Sequence, residues 1–289
     1  MAIAQLAYRD PAQRGAVGAA FFDLDKTIIA KSSTLAFSRP FFAGGLINRR
    51  SVLRSGYAQF MFALQGADHD QTEKMRAYLS RMVTGWPVQS VRDIVAETLH
   101  LIVDPLVYDE AVQLIEEHQD AGRDVVIVSS SGSEVVEPIG EMLGADHVVA
   151  TRMAVAEGRY TGEIDFYAYG EYKAHAAREL AEERGYDLAA CYAYSDSETD
   201  IPLLAAVGHP HAVNPDRGLR RAAAEQGWPV LRFDRPVGLR QRVGLHSSAS
   251  RAVAVAVAAG LVTAGVTTWQ ARQRRELTAS RRLALPRFR

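Results

Sequence analysis

Short apolar runs recur along this chain, each ending abruptly in polar or turn-forming residues. They fall at 18–22, 125–128, 147–150, 192–195, 211–213 and 230–233. Their length and their β-branched and aromatic content predict buried strands. Between them the apolar positions recur three and four apart, which predicts helices, among them 88–102 and 109–121. Strands alternating with helices predict an α/β fold: a doubly wound parallel sheet with helices on both faces. The first two strands are separated by about 100 residues, far more than a loop needs. Helical periodicity over 51–64, 71–82 and 88–102 fills much of that gap. The chain therefore divides into a core of 1–32 and 104–235, a helical insert of 33–103, and a tail of 236–289.

The polar residues at the strand ends carry the chemistry. The first run ends in FFDLDKT, with Asp23 and Asp25 two positions apart and Thr27 after them. Residues i and i+2 of an extended chain point the same way. Two carboxylates aimed together need compensation, usually a divalent cation. The run at 125–128 leads into Ser129, Ser130, Ser131 and Gly132, with helical periodicity from Ser133. Hydroxyls and free N–H groups at a strand-to-helix turn suit a phosphate. Ser131 and Glu134 also have capping-box spacing, which leaves Ser129 to face a ligand. Lys173 opens another helix, where a cation opposes the helix dipole unless an anion meets it. The chain has four lysines against 29 arginines, so a lysine there carries weight. Finally, 192–195 runs into Asp196, Glu198 and Asp200, either a cation site or a crowded helix N-terminus.

Together these segments resemble the haloacid dehalogenase superfamily of phosphohydrolases, most closely the branch that contains phosphoserine phosphatase. Asp23, Asp25 and Thr27 match its opening D-x-D-x-T, Ser129 its second element, Lys173 its third, and Asp196 with Asp200 its acidic last element. The stretch 151–164 looks like the hairpin that precedes the lysine in that branch. The resemblance implies an α/β core with a helical cap, here 33–103, over a Mg²⁺-dependent active site. It implies that Asp23 attacks phosphorus to form an aspartyl-phosphate, and that Asp25 protonates the leaving oxygen and then activates water. Mg²⁺ is implied at Asp23, the backbone carbonyl of Asp25, and Asp196. Ser129, Ser130 and Lys173 are implied to hold the phosphoryl oxygens, with Asp200 orienting Lys173 or a metal-bound water.

Two departures bear on the substrate. Phosphoserine phosphatases carry a glutamate nine positions after the nucleophile that holds the substrate amine; Ser32 stands there, and no Asp or Glu occurs between Asp25 and Asp68. Thr199 replaces the asparagine found one place before the second Asp. The expected substrate is therefore a small or lipid-like phosphate monoester. Phosphoserine itself is the alternative, and a non-catalytic phosphate-binding protein a more distant one.

Charge separates the tail from the rest. The net charge of −1 divides into 18 basic and 31 acidic residues over 1–216, and 15 basic and 3 acidic over 217–289. Residues 252–270 carry no formal charge. As a helix they would extend about 28 Å, near the thickness of a bilayer core. Ala256, Gly260 and Ala264 give a small-residue face, and seven arginines follow Gln270. The expectation is a cytoplasmic protein with a possible membrane-associated tail. No nucleic-acid partner is expected, since no reading module or aromatic interleaving accompanies the arginines. The single cysteine, Cys191, excludes an internal disulfide.

Overall fold

A computed structural model describes residues 18–47 and 80–235. The strands are β1 (Ala19–Phe22), β2 (Asp124–Gly132), β3 (His147–Ala156), β4 (Arg159–Phe166), β5 (Tyr192–Ser195), β6 (His209–Val213) and β7 (Val230–Leu231). The helices used below are α1 (Ser33–Ala36), α2 (Ser38–Ala43), α3 (Val88–Val103), α4 (Asp109–Asp120), α5 (Ser133–Leu143), α6 (Glu171–Arg184), α7 (Ile201–Ala205) and α8 (Arg217–Gln226). One seven-stranded sheet has the order β4-β3-β2-β1-β5-β6-β7. All pairs are parallel except the β3–β4 hairpin.

β1 is buried on both faces, as a central parallel strand must be. Its alternation splits it between two cores. Ala20 and Phe22 join Val125, Ile127, Ala111 of α4 and Val136 and Ile139 of α5. Ala19 and Phe21 join Val126, Ala193, Ala177 of α6, Leu203 of α7 and Leu219 of α8. The sheet is thus covered on both sides, as the sequence predicts. Chain order also reverses at β1, since the strands run outward through β2 to β4 and then resume at β5 on the other flank. Ligands of open α/β sheets sit at that switch point, beyond the carboxyl ends of the strands. The register fixes what meets there. Phe22 lies opposite Ile127 of β2 and Tyr194 of β5, so Asp23, Ser129 and Ser195 follow at the same edge.

Three local expectations are corrected. β2 does not end before the serines but continues through Ser129–Gly132, with a register shift against β3 between Ser129 and Gly132. Helix α5 starts at Ser133 with Gly132 as its N-cap and no side-chain cap, so Ser131 does not cap it. The third strand is longer than 147–150 because the hairpin at 151–164 extends it.

Within 33–103, the short helices α1 and α2 were not foreseen. In α3, Val88, Val91, Val95, Leu99 and Val103 form one buried stripe, and the helix packs against α5. The segment before α3 is tied to the β3–β4 hairpin: Val88 N–H donates to Gly158 O, and Arg159 Nη1 to Gly85 O at 2.7 Å. The helix expected at 51–64, most of that at 71–82, and the apolar segment 252–270 lie outside the described residues.

Candidate active site

The parallel ladder continues one residue past β1, where Asp23 N–H donates to Tyr194 O at 2.9 Å. This fixes the Asp23 backbone while its side chain, 8% exposed, leaves the strand tip. Lys173 arrives from the first turn of α6, which begins after Gly170 at φ +56°, a conformation that favours glycine. Lys173 is buried, and its Nζ donates to Asp23 Oδ1 at 2.6 Å and Asp200 Oδ2 at 2.7 Å. The anion that a first-turn lysine calls for is therefore present twice. Ser195 Oγ also donates to Asp200 Oδ2, at 2.7 Å. Asp196 is buried beside them, with its Oδ2 4.0 Å from the exposed Lys26 ammonium. Lys26 itself adopts φ +62°, which turns the chain sharply between Asp25 and Thr27.

The electrostatics of this cluster are unbalanced. Burial pushes the Asp23 carboxyl up; Lys173 opposes the shift, and Asp200 and Asp196 add to it. Asp196 is pushed up to about 6, again by burial first, with Lys26 opposing and Asp200 reinforcing. Burial alone would lower the Lys173 pKa, but Asp200 and Asp23 outweigh it, so the pKa is raised and the ammonium form held. Three buried carboxylates thus share one buried ammonium. Two buried oxygens nearby have no hydrogen-bond partner among the described residues: Asp200 Oδ1 and Thr27 Oγ1.

That imbalance is what a small hard cation would relieve. The donors are all oxygen, as Mg²⁺ requires. Among the described residues no three His, Cys, Asp or Glu side chains are grouped to hold a metal by side chains alone. Two carboxylates and a backbone carbonyl, the set the resemblance implies, are not such a group, and their oxygens are of the donor type that the ion takes.

Asp25 turns to a different set of partners. Its Oδ1 accepts from Ser33 N–H at 2.8 Å and its Oδ2 from Ser131 Oγ at 3.1 Å. Ser131 Oγ in turn accepts from Ser33 Oγ at 2.8 Å and lies 3.2 Å from Thr34 Oγ1. Ser129 is buried, its Oγ accepting from Ser131 N–H at 3.2 Å. Ser130 is exposed, and its carbonyl accepts from Thr151 Oγ1. Alternation along β2 explains the difference, since Ser129 and Ser131 face one side and Ser130 the other. Sequence reasoning assigned Ser131 to a cap and did not single out Ser33 or Ser195. Ser195 stands next to Asp196, but nothing local shows that its hydroxyl reaches Asp200.

The path from the Asp23 strand to the helix after Asp200 coincides with a known family. A profile of haloacid dehalogenase-like hydrolases matches residues 20–205. The chain belongs to that family. It is 65% identical over 261 residues to the inhibition of morphological differentiation protein of Streptomyces azureus, covering 89% of this chain and 94% of that one. It is 62% identical over 251 residues to a probable phosphatase of Mycobacterium tuberculosis, covering 87% and 88% of the two chains. A phosphoserine phosphatase of the same organism is 33% identical over 258 residues, covering 88% and 82%. Among solved structures, a phosphoserine phosphatase carrying an analogue of its phospho-aspartyl intermediate shares the fold. Its TM-score is 0.53 at 18% identity, over 78% of this chain and 97% of that one.

Proposed function

We propose that this haloacid dehalogenase-like hydrolase is a Mg²⁺-dependent phosphatase that cleaves a small phosphate monoester through an aspartyl-phosphate on Asp23. One observation carries the reading: a buried carboxylate at the tip of the central strand, held by a buried lysine that a second acid anchors. Phosphate monoesters are among the slowest substrates to hydrolyse unaided, because nucleophile and ester repel each other. Lys173 and the hydroxyl of Ser129 offset that repulsion by meeting the phosphoryl oxygens. Asp200 and Ser195 hold Lys173 where both ester and nucleophile feel its charge. Asp23, the Asp25 carbonyl and Asp196 would hold Mg²⁺, which when bound neutralises phosphate charge and aligns the ester for in-line attack. Asp25 delivers a proton to the departing oxygen and then takes one from water.

In this reading the helices of 33–103 form a cap over the core of 1–32 and 104–235, and the leaving group lies beneath them. Phosphoserine is the second reading, favoured by the relative of that name. Ser32 and Thr199 argue against it, because no acid stands where the substrate amine is held. A screen for phosphate release over amino-acid, sugar, nucleotide and lipid phosphates decides between them. Phosphoserine as the best substrate would overturn the argument from Ser32. EDTA should stop turnover and Mg²⁺ restore it; full activity after exhaustive metal removal would overturn the metal assignment.

The tail of 236–289 is assigned to membrane association from sequence alone. Its removal should release the protein from the membrane fraction without changing activity on small esters. A full-length protein that stays wholly soluble in the cell refutes this.

A further inference from the structure

Asp25 gives up a proton in one half of the proposed reaction and takes one back in the other. Both carboxylate oxygens accept bonds from donors of this chain, Ser33 N–H at Oδ1 and Ser131 Oγ–H at Oδ2. Ser131 is buried and oriented in turn, because Ser33 Oγ donates its own proton to Ser131 Oγ at 2.8 Å. Ser33 is fully buried, so this donor does not exchange freely with water. The arrangement is a directed chain, Ser33 to Ser131 to Asp25, that ends on the carboxylate.

We propose that Ser131, oriented by Ser33, is a positioning residue for Asp25 that stabilises the negative charge appearing there as the leaving group is protonated. The inference rests on the phosphatase reading above. In the first half-reaction an Asp23 carboxylate oxygen bonds to phosphorus while the bond from phosphorus to the ester oxygen breaks, its electron pair staying on that oxygen. The ester oxygen takes the Asp25 proton and leaves as a neutral alcohol, and Asp25 becomes the carboxylate. Donors already aimed at Oδ1 and Oδ2 meet that charge without reorganising. In the second half-reaction water attacks phosphorus, its proton passes to Asp25, and the bond from Asp23 to phosphorus breaks. There the same donors oppose Asp25, so they act asymmetrically on the two halves. The hydroxyl matters most when the leaving oxygen needs a proton.

The test varies the leaving group. With purified full-length protein and saturating Mg²⁺, kcat/KM for phenyl phosphate and dinitrophenyl phosphate reports the first half-reaction, and only the phenyl ester needs a proton as it leaves. Ser131→Ala should lower kcat/KM for the phenyl ester roughly tenfold more than for the dinitrophenyl ester. Ser131→Thr, which keeps the hydroxyl, should stay closer to the wild type in that ratio. Ser33→Ala should shift the ratio the same way but less, and it serves as the test if Ser131→Ala does not fold. Equal losses on both esters in Ser131→Ala and Ser33→Ala would overturn the inference and leave the phosphatase reading standing. A wild-type protein that hydrolyses neither ester, or an Asp23→Asn protein that hydrolyses both, would overturn that reading and this inference with it.

Discussion

Tyr194 joins two buried polar networks that solve the same problem in opposite ways. Its carbonyl accepts from Asp23 at the strand tip, and its hydroxyl meets His118 Nε2 at 2.8 Å beneath the sheet. Below, Arg123 Nε donates to His118 Nδ1 at 2.6 Å. That bond places the ring proton on Nε2, which donates to Tyr194. Phe22 stacks on Tyr194 at 4.5 Å and meets His118 edge-on at 5.9 Å. Both His118 nitrogens are thus occupied, and the ring is kept neutral. Burial, helped by Arg123 and His211, pushes its pKa down to about 4. Above, Asp23 and Asp200 share Lys173, and a third buried carboxylate, Asp196, lies beside them. Of the four buried side-chain atoms without a hydrogen-bond partner among the described residues, two, Asp200 Oδ1 and Thr27 Oγ1, belong to that region. The fold can pair both nitrogens of a buried imidazole, and beneath the sheet it does. Where it leaves a buried network charged and incomplete, as around Asp23 and Asp200, the phosphate and cation proposed above would supply the missing part.

Asp23→Asn tests the upper network most severely. It keeps the volume and loses the nucleophile, so phosphate release should fall by about a thousandfold or more, with the circular dichroism spectrum unchanged. Near wild-type turnover would break the covalent mechanism. Lys173→Ala should cost both function and stability, because it leaves Asp23 and Asp200 buried without their cation. Removing one partner of a buried pair costs roughly 3–5 kcal/mol. In metal-free buffer that appears as a melting temperature lowered by several degrees or more, and an unchanged melt would mean the carboxylates already find other partners.

Mg²⁺ itself should raise the melting temperature of the wild type by a few degrees when present well above its Kd. Asp196→Asn should largely remove that increment. Stabilisation of equal size in both proteins would place the ion elsewhere. The lower network should respond to acid instead. Above pH 6.5 His118 is neutral folded and unfolded, and its contribution to stability is complete. As pH falls from 6.5 toward about 4 the unfolded chain takes up a proton that the folded chain refuses, and stability declines. His118→Gln should melt lower at neutral pH yet lose less stability across that window. Parallel pH curves for the two proteins would show that the ring is not held neutral.

Much of the fold was legible in the sequence because a central parallel strand is apolar on both faces and stops at a polar residue. The run at 18–22 and the strand 192–195 are the clearest cases, and the acids that end them, Asp23 and Asp196, stand out for the same reason. Lys173 was conspicuous because a cation in the first turn of a helix needs an anion. The serines after Val128 were harder. Their hydroxyls suit a turn, a cap or a strand end equally, and local preference chose the turn. Pairing with β3 decided otherwise by extending β2 to Gly132.

What the sequence determined by itself was the set of strands, the doubly wound sheet and the acids and lysine at its carboxyl edge, because these follow from apolar period and local charge. Which groups those residues meet was decided only by tertiary structure. Lys173 reaches Asp23 across 150 positions of chain, and Ser131 reaches Asp25 across 106. No local preference encodes such pairings. They exist because β1 lies between β2 and β5 in a fixed register, so three strand ends arrive at one edge. At that edge a hydroxyl with several possible partners finds the carboxylate already there.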